Sequence, residues 1–454
     1  MPEAQAAKAK FPRTFWTANV IELFERAAYY SMASFMVIYL VETLGMRPAT
    51  ATLLNGTVLW GLIYFLPIVS GTLADKFGFR RSLTASFVFI AFGYLILGNL
   101  QKVWPGLIGA KAAAAVDFTI PVILGIVLIG IGGSIVKPCI AGTIQKTSGT
   151  AKTLGFGIFY MVINIGSITG RSVSYFIRTS LGIPAIFTYA ASAFALVGLA
   201  VTALLYREPE YVPDGKADAP PAKKRTMGQA LLGIFTVLGN IRFVFFIIVI
   251  SLFWFLYIQL YNLMPLYMRH IDPNAPMDLY TLANPIMIVA FQLLITRMSK
   301  NWKPIRSILI GVGVTTAFML LNVVPALLPG GLTKTVDMGF VIPVAGIFLI
   351  LSIASMAVGE MFASPRIYEY IGGIAPKGQE GLYLGYANLP IALASMIGGP
   401  IGGRLFEIYV KQPSQNGGTA NPAPMWLIIG GIGLVSLVGL LFYDSWLRKA
   451  AKAR

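Results

Sequence analysis

The sequence has very little cysteine and histidine. Among its 454 residues there is one cysteine, Cys139, and one histidine, His270. A single cysteine excludes an intrachain disulfide, and a single histidine argues against a histidine-based metal site or proton relay. A membrane enzyme would need a His, Cys, paired-Asp or metal centre. We therefore expect no enzyme, no metal and no cofactor.

Charged residues are also scarce, and the two signs are unequal. Only 12% of the residues are charged, 56% are hydrophobic, and the mean hydropathy is +0.74. Ordinary soluble domains do not have this composition. Several apolar stretches exceed about 18 residues, which predicts an all-α polytopic membrane protein. The net charge of +17 is better explained by membrane topology than by a nucleic-acid partner.

Hydropathy predicts twelve transmembrane helices in two six-helix bundles. The first carries no small-residue cleavage site after it, so we expect a retained helix and not a signal peptide. The predicted spans are roughly 15–40, 53–74, 82–100, 119–144, 155–179, 184–206, 241–266, 278–298, 306–328, 339–368, 383–409 and 425–446.

The distribution of Lys and Arg orients these spans. An even number of spans places both termini on one side, and 24 of the 35 Lys and Arg residues fall on that side against seven on the other. The positive-inside rule then predicts cytoplasmic termini. The short loops are typical of a plasma (inner) membrane protein, with the lipid bilayer as its surroundings.

A polar segment divides the spans into six and six. Residues 207–226 contain four prolines and end with a run of three basic residues, a composition typical of a flexible linker. We predict an N-terminal bundle at 1–206, a cytoplasmic linker at 207–240 and a C-terminal bundle at 241–454. Two bundles that rock about a midplane site are typical of secondary transporters.

The first span carries three charges where an apolar helix is expected. Glu22, Glu25, Arg26 and Tyr29 are spaced at i, i+3, i+4 and i+7, so they share one helix face. An ionised side chain inside the membrane costs several kcal/mol, about 3 on the mildest scales. A protonatable pair beside a fixed cation is what a proton-coupled carrier needs. The alternative is a structural ion-pair cluster that faces the bundle interior.

Three other polar residues lie inside predicted spans. Lys137 either pairs with an anion or snorkels to the cytoplasmic face. Asn164 can both donate to and accept from a peptide backbone, or it makes an interhelical hydrogen bond. Glu360 either meets a substrate ammonium group or serves as a structural partner for Arg366 or for a helix end.

The loop after the second span resembles a signature of the major facilitator superfamily. It contains Asp75, Gly78, Arg80 and Arg81 in the order G-x-L-a-D-x-x-G-x-R-R. In that superfamily the loop helps to latch the two bundles on the cytoplasmic side. The resemblance implies the same role for these four residues. From its chemistry alone, Asp75 can pair with a nearby arginine or cap a helix N-terminus.

A narrower resemblance is to the proton-dependent oligopeptide transporter (POT) family. The stretch E-x-x-E-R-x-x-Y-Y, which ends at Tyr30, is similar to that family's first-helix signature. Further matches follow in order along the chain: G-x-x-x-x-K-P at 132–138, F-Y-x-x-I-N-x-G-S at 159–167, F-W-x-x-x-x-Q at 253–259, N-P at 284–285 and G-E-x-x-x-x-P at 359–365.

This resemblance implies a proton-coupled symporter that imports di- or tripeptides by alternating access, with the proton as the coupling ion. The implied proton-coupling residues are Glu22, Glu25, Arg26 and Lys137. The implied substrate-binding residues are Arg26, Tyr29, Tyr30, Lys137, Tyr160, Asn164, Trp254, Gln259, Asn284 and Glu360. We expect a zwitterionic peptide to direct its carboxylate toward Arg26 and Lys137 and its ammonium group toward Glu360. We also expect a monomer.

The chain departs from the family pattern in its charges. Ile258 stands where an acid usually precedes Gln259, and 31–34 lack a common arginine. Arg171 stands where small residues or proline are usual; we predict that it binds substrate, and the alternative is an arginine that snorkels to the outer surface. These departures leave open a carrier of another small solute, such as an amino-acid derivative, organic anion or drug, or a membrane receptor.

Overall fold

The computed structural model describes residues 11–103, 120–212, 227–337, 339, 341–376 and 380–452. These residues are helical, apart from one short hairpin and the connecting loops. The prediction of an all-α polytopic membrane protein is confirmed. The longer helices, labelled in chain order, are α1 Arg13–Ala33, α2 Pro48–Phe65, α3 Pro67–Phe77, α4 Phe79–Val103, α5 Ile120–Thr147, α6 Lys152–Leu181, α7 Ile183–Leu205, α8 Met227–Leu238, α9 Ile241–Ile258, α10 Leu263–Ile271, α11 Ala283–Ser299, α12 Pro304–Leu321, α13 Val344–Ile374, α14 Leu389–Phe406 and α15 Ala423–Lys452.

Short elements connect or extend these helices. The hairpin pairs β1, Thr335–Asp337, with β2, Val341–Pro343, in antiparallel register. The short helices, of α, 3₁₀ and π type, are Met36–Ile38, Tyr39–Thr43, Gly149–Ala151, Met277–Thr281, Val324–Leu327, Gly331–Thr333, Glu380–Gly385, Glu407–Lys411 and Gln412–Gln415. Two longer helices contain π-helical turns, at Leu53–Trp60 in α2 and Ile186–Ala191 in α7.

Within the ranges given above, nine helical segments are long and apolar enough to cross a membrane. The pair α2 and α3, bent by 45° ahead of Pro67, makes a tenth if it forms a single span. α1 does not qualify, because Glu22, Glu25 and Arg26 lie in its middle. α6, which contains Arg171, does not qualify either. The count of twelve spans stays a prediction.

Packing divides the described chain into two compact units. The first unit contains the described parts of Met1–Met32, Phe65–Val103 and Ile120–Leu232. The second contains the described parts of Ala33–Tyr64 and Gly233–Arg454. The chain changes unit at the end of α1, at the α2–α3 bend and within α8. The linker predicted at 207–240 stays a prediction, and its segment 213–226 lies outside the described residues.

In the first unit, α6 packs tightly against α1. A Cβ on Gly166 would lie 2.8 Å from the Cβ of Arg26, and one on Gly170 would collide with the carbonyl oxygen of Ala27. The hydroxyl of Ser31 donates to the carbonyl of Gly170 at 3.2 Å. Small residues on α6 therefore bring its backbone against the charged stretch of α1.

In the second unit, α2 packs against α14 and the end of α9. A Cβ on Gly56 would lie 2.8 Å from the Cα of Gly399, and the amide of Asn55 donates to the carbonyl of Tyr261 at 3.1 Å. Glu42 accepts two hydrogen bonds from the guanidinium group of Arg269, at 2.9 and 2.5 Å. Close backbone approach and the hydrogen bond of Asn55 thus hold α2, whereas the Glu42–Arg269 pair ties the short helix before α2 to α10.

Candidate functional site

The three charges of α1 form one buried cluster. The Nε of Arg26 donates to Glu25 Oε2 at 2.5 Å and lies 3.5 Å from Glu22 Oε1. Glu22, Glu25 and Arg26 are 0%, 3% and 4% exposed. Because isolated buried charges are costly, the arginine lowers the cost of both carboxylates by pairing with them. The i, i+3, i+4 spacing of the sequence produces this arrangement directly.

Aromatic rings surround the guanidinium group of Arg26. It lies 5.2 Å from the ring centroid of Tyr29 and 5.9 Å from that of Tyr30, within the range of cation–π attraction. The buried Tyr94 of α4 is within electrostatic reach of Glu25 and Arg26. No local pattern in the sequence indicates Tyr94, because only tertiary packing brings α4 to α1.

Lys137 of α5 belongs to the same cluster. It interacts electrostatically with Arg26, Tyr30, Glu22 and Glu25. These interactions couple Lys137 to the charges of α1, and its pairing inside the bundle stays a prediction, as does the alternative that it snorkels. Glu22 and Glu25 are thus two carboxylates of this unit with which Lys137 interacts.

Arg171 of α6 is 1% exposed. The alternative of an arginine that snorkels to the outer surface is therefore wrong. Its guanidinium group lies 4.5 Å from the ring centroid of Tyr30 and donates to the hydroxyl of Ser167, one turn earlier in α6. Arg171 thus joins the α1 cluster through Tyr30.

The remaining predicted residues of the first unit lie earlier on α6. Asn164 is buried, and its amide donates to the carbonyl of Tyr160 at 2.9 Å. This hydrogen bond is within one helix, so it does not correspond to the interhelical bond considered as the alternative. Tyr160 is half-buried.

In the second unit, two predicted residues lie at the end of α9. Trp254 packs edge-on against Tyr257 at a centroid distance of 5.4 Å. Gln259 is fully buried, and its amide donates to the carbonyls of Phe255 and Gly398 at 3.0 and 3.1 Å. In this conformation Gln259 therefore links α9 to α14.

Glu360 lies in α13 within electrostatic reach of Tyr368, whose hydroxyl donates to Asn388 at 3.1 Å. The alternative that Glu360 is the structural partner of Arg366 is wrong. Arg366 instead pairs with Glu369 at 2.5 Å and donates to the carbonyl of Ser299 at 2.5 Å.

Asn284 is buried near the start of α11. Its side-chain nitrogen makes no hydrogen bond to any residue that the structure describes. Trp254, Gln259, Asn284 and Glu360 thus lie on three helices of the second unit, α9, α11 and α13. The contacts described above differ from one of these residues to the next.

The loop between α3 and α4 is held by a residue that the sequence pattern did not indicate. Gly78 ends α3 with φ +90°, a conformation that favours glycine. The carboxylate of Glu208 accepts from the backbone N–H groups of Phe79 and Arg80 at 3.1 and 2.8 Å. Glu208 therefore caps α4, a role that the sequence had offered to Asp75.

The other predicted residues of this loop are exposed. Asp75, Arg80 and Arg81 have solvent-accessible side chains, and the guanidinium group of Arg80 donates to the carbonyl of Ala203 at 2.5 Å. Across the described ranges, no three His, Cys, Asp or Glu side chains come together as they would around a metal ion.

The fold and the buried charges define a polytopic helical membrane protein with a charged cluster inside its helices. The profile of the Major Facilitator Superfamily matches residues 20–362, which is most of the sequence. The chain belongs to this superfamily of transporters.

Individual relatives are distant. Dipeptide and tripeptide permease A of Erwinia pyrifoliae is 28% identical over 243 residues, covering 51% of this chain and 45% of the permease. This chain therefore spans about half the length of that relative. The permease A of Citrobacter koseri is 24% identical over 459 residues, covering 87% of this chain and 85% of the permease.

A solved structure shares the fold. The crystal structure of a POT family transporter in complex with 5-aminolevulinic acid superimposes with a TM-score of 0.73 at 19% identity. The superposition covers 97% of this chain and 99% of that one. At this identity, the likeness supports a shared fold, and it carries no conclusion about what this chain binds.

Proposed function

We propose that this protein is a proton-coupled symporter that imports di- or tripeptides, or peptide-like small solutes, by alternating access. The observation that carries the proposal is the buried cluster of Glu22, Glu25 and Arg26, with Lys137 beside it. A structural ion pair requires one carboxylate for Arg26, whereas this helix supplies two. The peptide permeases among the relatives and the POT-like motifs support the same function.

The cluster explains how proton and substrate binding favour each other. When Glu22 or Glu25 binds a proton, Arg26 loses one of its anionic partners. The site then attracts the carboxylate of a substrate more strongly, because opposite charges interact strongly in a low-dielectric interior. By linkage, a bound substrate carboxylate raises the affinity of the glutamates for protons by the same factor. Proton and substrate are therefore carried in the same direction.

The proposal extends to the setting of the protein. As a transporter, it acts without enzymatic activity and without a cofactor other than the coupling proton. It resides in the plasma (inner) membrane, with both termini in the cytoplasm. It acts as a monomer, and its partners are the small-molecule or short-peptide substrate and the lipid bilayer.

Purified protein in liposomes tests the function. An inward proton gradient is expected to drive uphill uptake of labelled dialanine, and a protonophore is expected to abolish the accumulation. A receptor would show no uptake, and a channel would show no accumulation against the gradient. Either result would contradict the proposal.

A second candidate is a carrier of a single amino-acid derivative. The solved transporter with the same fold binds 5-aminolevulinic acid, and this chain lacks the usual acid before Gln259 and the usual arginine at 31–34. A counterflow screen distinguishes the two candidates. Exchange of dipeptides favours the first candidate, whereas exchange of 5-aminolevulinic acid without any dipeptide exchange favours the second.

A further inference from the structure

The connection between α11 and α12 is rich in exposed cations. We call residues 297–306 the basic turn; its four basic side chains, all exposed, are Arg297, Lys300, Lys303 and Arg306. The sequence contains no Asp or Glu between Asp278 and Asp337. None of the four cations forms an ion pair with any residue that the structure describes. The basic turn therefore presents four positive charges at its surface.

The basic turn lies at the boundary of the membrane. The helical segments on either side, Met277–Ser299 and Pro304–Leu327, are both long and apolar enough to cross a bilayer. The connection between them is too short to extend far from the bilayer surface. Next to the turn, the last part of α11 exposes Leu293, Leu294 and Met298, by 85%, 53% and 54%. Exposed apolar side chains of a spanning helix face lipid acyl chains, so here they adjoin the cations.

The spacing along α11 aligns an apolar side chain with two cations. Leu293, Arg297 and Lys300 are spaced at i, i+4 and i+7, so they follow one face of the helix toward its end. An acyl chain that lies against Leu293 brings the phosphate of its own headgroup to the level of Arg297 and Lys300. This face is therefore complementary to both parts of an anionic lipid.

Hydrogen bonds and ring contacts hold the basic turn in place. The carbonyl of Ser299 accepts from the N–H group of Trp302 at 2.9 Å and from the guanidinium group of Arg366 in α13 at 2.5 Å. The ring of Trp302 stacks on that of Phe362 with centroids 5.8 Å apart. The guanidinium group of Arg306 lies 4.9 Å from the centroid of Trp302, within the range of cation–π attraction. The cations thus project from an ordered turn.

The loop between α3 and α4 has a different charge balance. It contains Asp75, and the carboxylate of Glu208 caps α4. By contrast, the first turn of α12 contains no acidic residue. The acid of the neighbouring α13, Glu369, is paired with Arg366. The positive charge of the basic turn is therefore available to an anion from outside the protein.

We infer that the basic turn binds the phosphate of an anionic phospholipid, whose acyl chain lies against Leu293 and Met298. A negatively charged bilayer surface attracts each nearby Lys or Arg by a factor of about five in affinity. A zwitterionic lipid has no net charge and gains little from the same cations. The inference concerns the lipid partner and does not depend on which substrate is transported.

Lipid binding to the purified full-length protein tests the inference. Native mass spectrometry of the protein in detergent measures its affinity for phosphatidylglycerol and for phosphatidylcholine with the same acyl chains. The native protein is expected to bind phosphatidylglycerol about tenfold more tightly. Arg297→Gln combined with Lys300→Gln should lower the affinity for phosphatidylglycerol about tenfold and leave that for phosphatidylcholine unchanged. Arg297→Lys combined with Lys300→Arg, which keeps both charges, should retain the native preference.

The matched control is Arg448→Gln combined with Lys449→Gln, at the end of α15. It removes the same number of positive charges, one of them from the 2.6 Å pair of Arg448 with Asp444. This variant is expected to keep the native preference for phosphatidylglycerol. An equal loss of affinity in the two double glutamine variants would overturn the inference, because net charge and not the basic turn would then attract the lipid.

A free anion is the remaining alternative to a lipid. Inorganic phosphate in excess is expected to leave phosphatidylglycerol bound, since the acyl chain contributes to its affinity. Displacement of the lipid by inorganic phosphate would overturn the inference, as would equal affinity of the native protein for the two lipids. These measurements use neither substrate nor proton gradient, so their outcome is separate from that of the proposed function.

Discussion

Arg26 donates a hydrogen bond to Glu25, the residue before it in α1, over 2.5 Å between Nε and Oε2. Both side chains are almost completely buried, so water does not weaken the attraction between them. Glu22 lies 3.5 Å from the same nitrogen. One guanidinium group therefore serves two carboxylates, and a proton on either of them changes what Arg26 can bind next.

Glu360 is expected to recognise the amino group of the substrate. Glu360→Gln should weaken the binding of dialanine about tenfold, because a charge-assisted contact with the ammonium group is lost. N-acetylated dialanine, which has no ammonium group, should bind the native protein and the variant alike. Competition against a labelled peptide measures both affinities.

The control for Glu360 is Glu369→Gln in the same helix, whose acid pairs with Arg366. This variant should leave the affinity for dialanine unchanged. If Glu360→Gln lost affinity equally for dialanine and for its acetylated form, Glu360 would not be the residue that binds the amino group.

Close packing of α6 on α1 is expected to hold the cluster together. Gly170→Val should destabilise the protein by about 1–3 kcal/mol, because the added side chain collides with the backbone of Ala27 and overpacked interiors lose stability by this amount. Cys139 is the single thiol and is buried, so a thiol-reactive dye reports unfolding during heating. Gly157→Val in the same helix, whose new Cβ meets no atom within 4 Å, should unfold near the native temperature.

The cap on α4 is expected to contribute to stability. Glu208→Ala removes the acceptor for the first N–H groups of this helix, and loss of such a cap costs about 0.5–2 kcal/mol. The same thiol-labelling assay should show a lower unfolding temperature. Glu210→Ala, which changes an exposed acid two residues later, is the control; equal effects of the two variants would rule out a specific role for the cap.

The sequence predicts the α1 cluster well because helical spacing determines it. Glu22, Glu25 and Arg26 are within one turn of one another, and no tertiary information is needed to place them on one face. The 45° bend ahead of Pro67 was not predicted, because hydropathy placed a single span there. Local spacing patterns in the sequence predict the larger part of the fold.

Residues that act through tertiary contacts were not predictable in the same way. Tyr94 reaches the cluster from α4, and Glu208 caps a helix that begins more than one hundred residues earlier. The burial of Arg171 depends on how closely α6 approaches α1, which the small side chains of α6 permit but do not specify. Hydropathy predicts a span at 15–40, yet α1 is not among the helices apolar enough to cross a membrane, because Glu22, Glu25 and Arg26 lie within it.

The central claim is that the α1 glutamates couple the proton gradient to substrate movement. The most direct measurement compares Glu25→Gln with the native protein in liposomes, recording both counterflow of dialanine and its uphill uptake under an inward proton gradient. We predict that the variant keeps counterflow, which needs no net proton movement, and loses accumulation. Uphill uptake by Glu25→Gln at the native level, with full dependence on the proton gradient, would contradict the account.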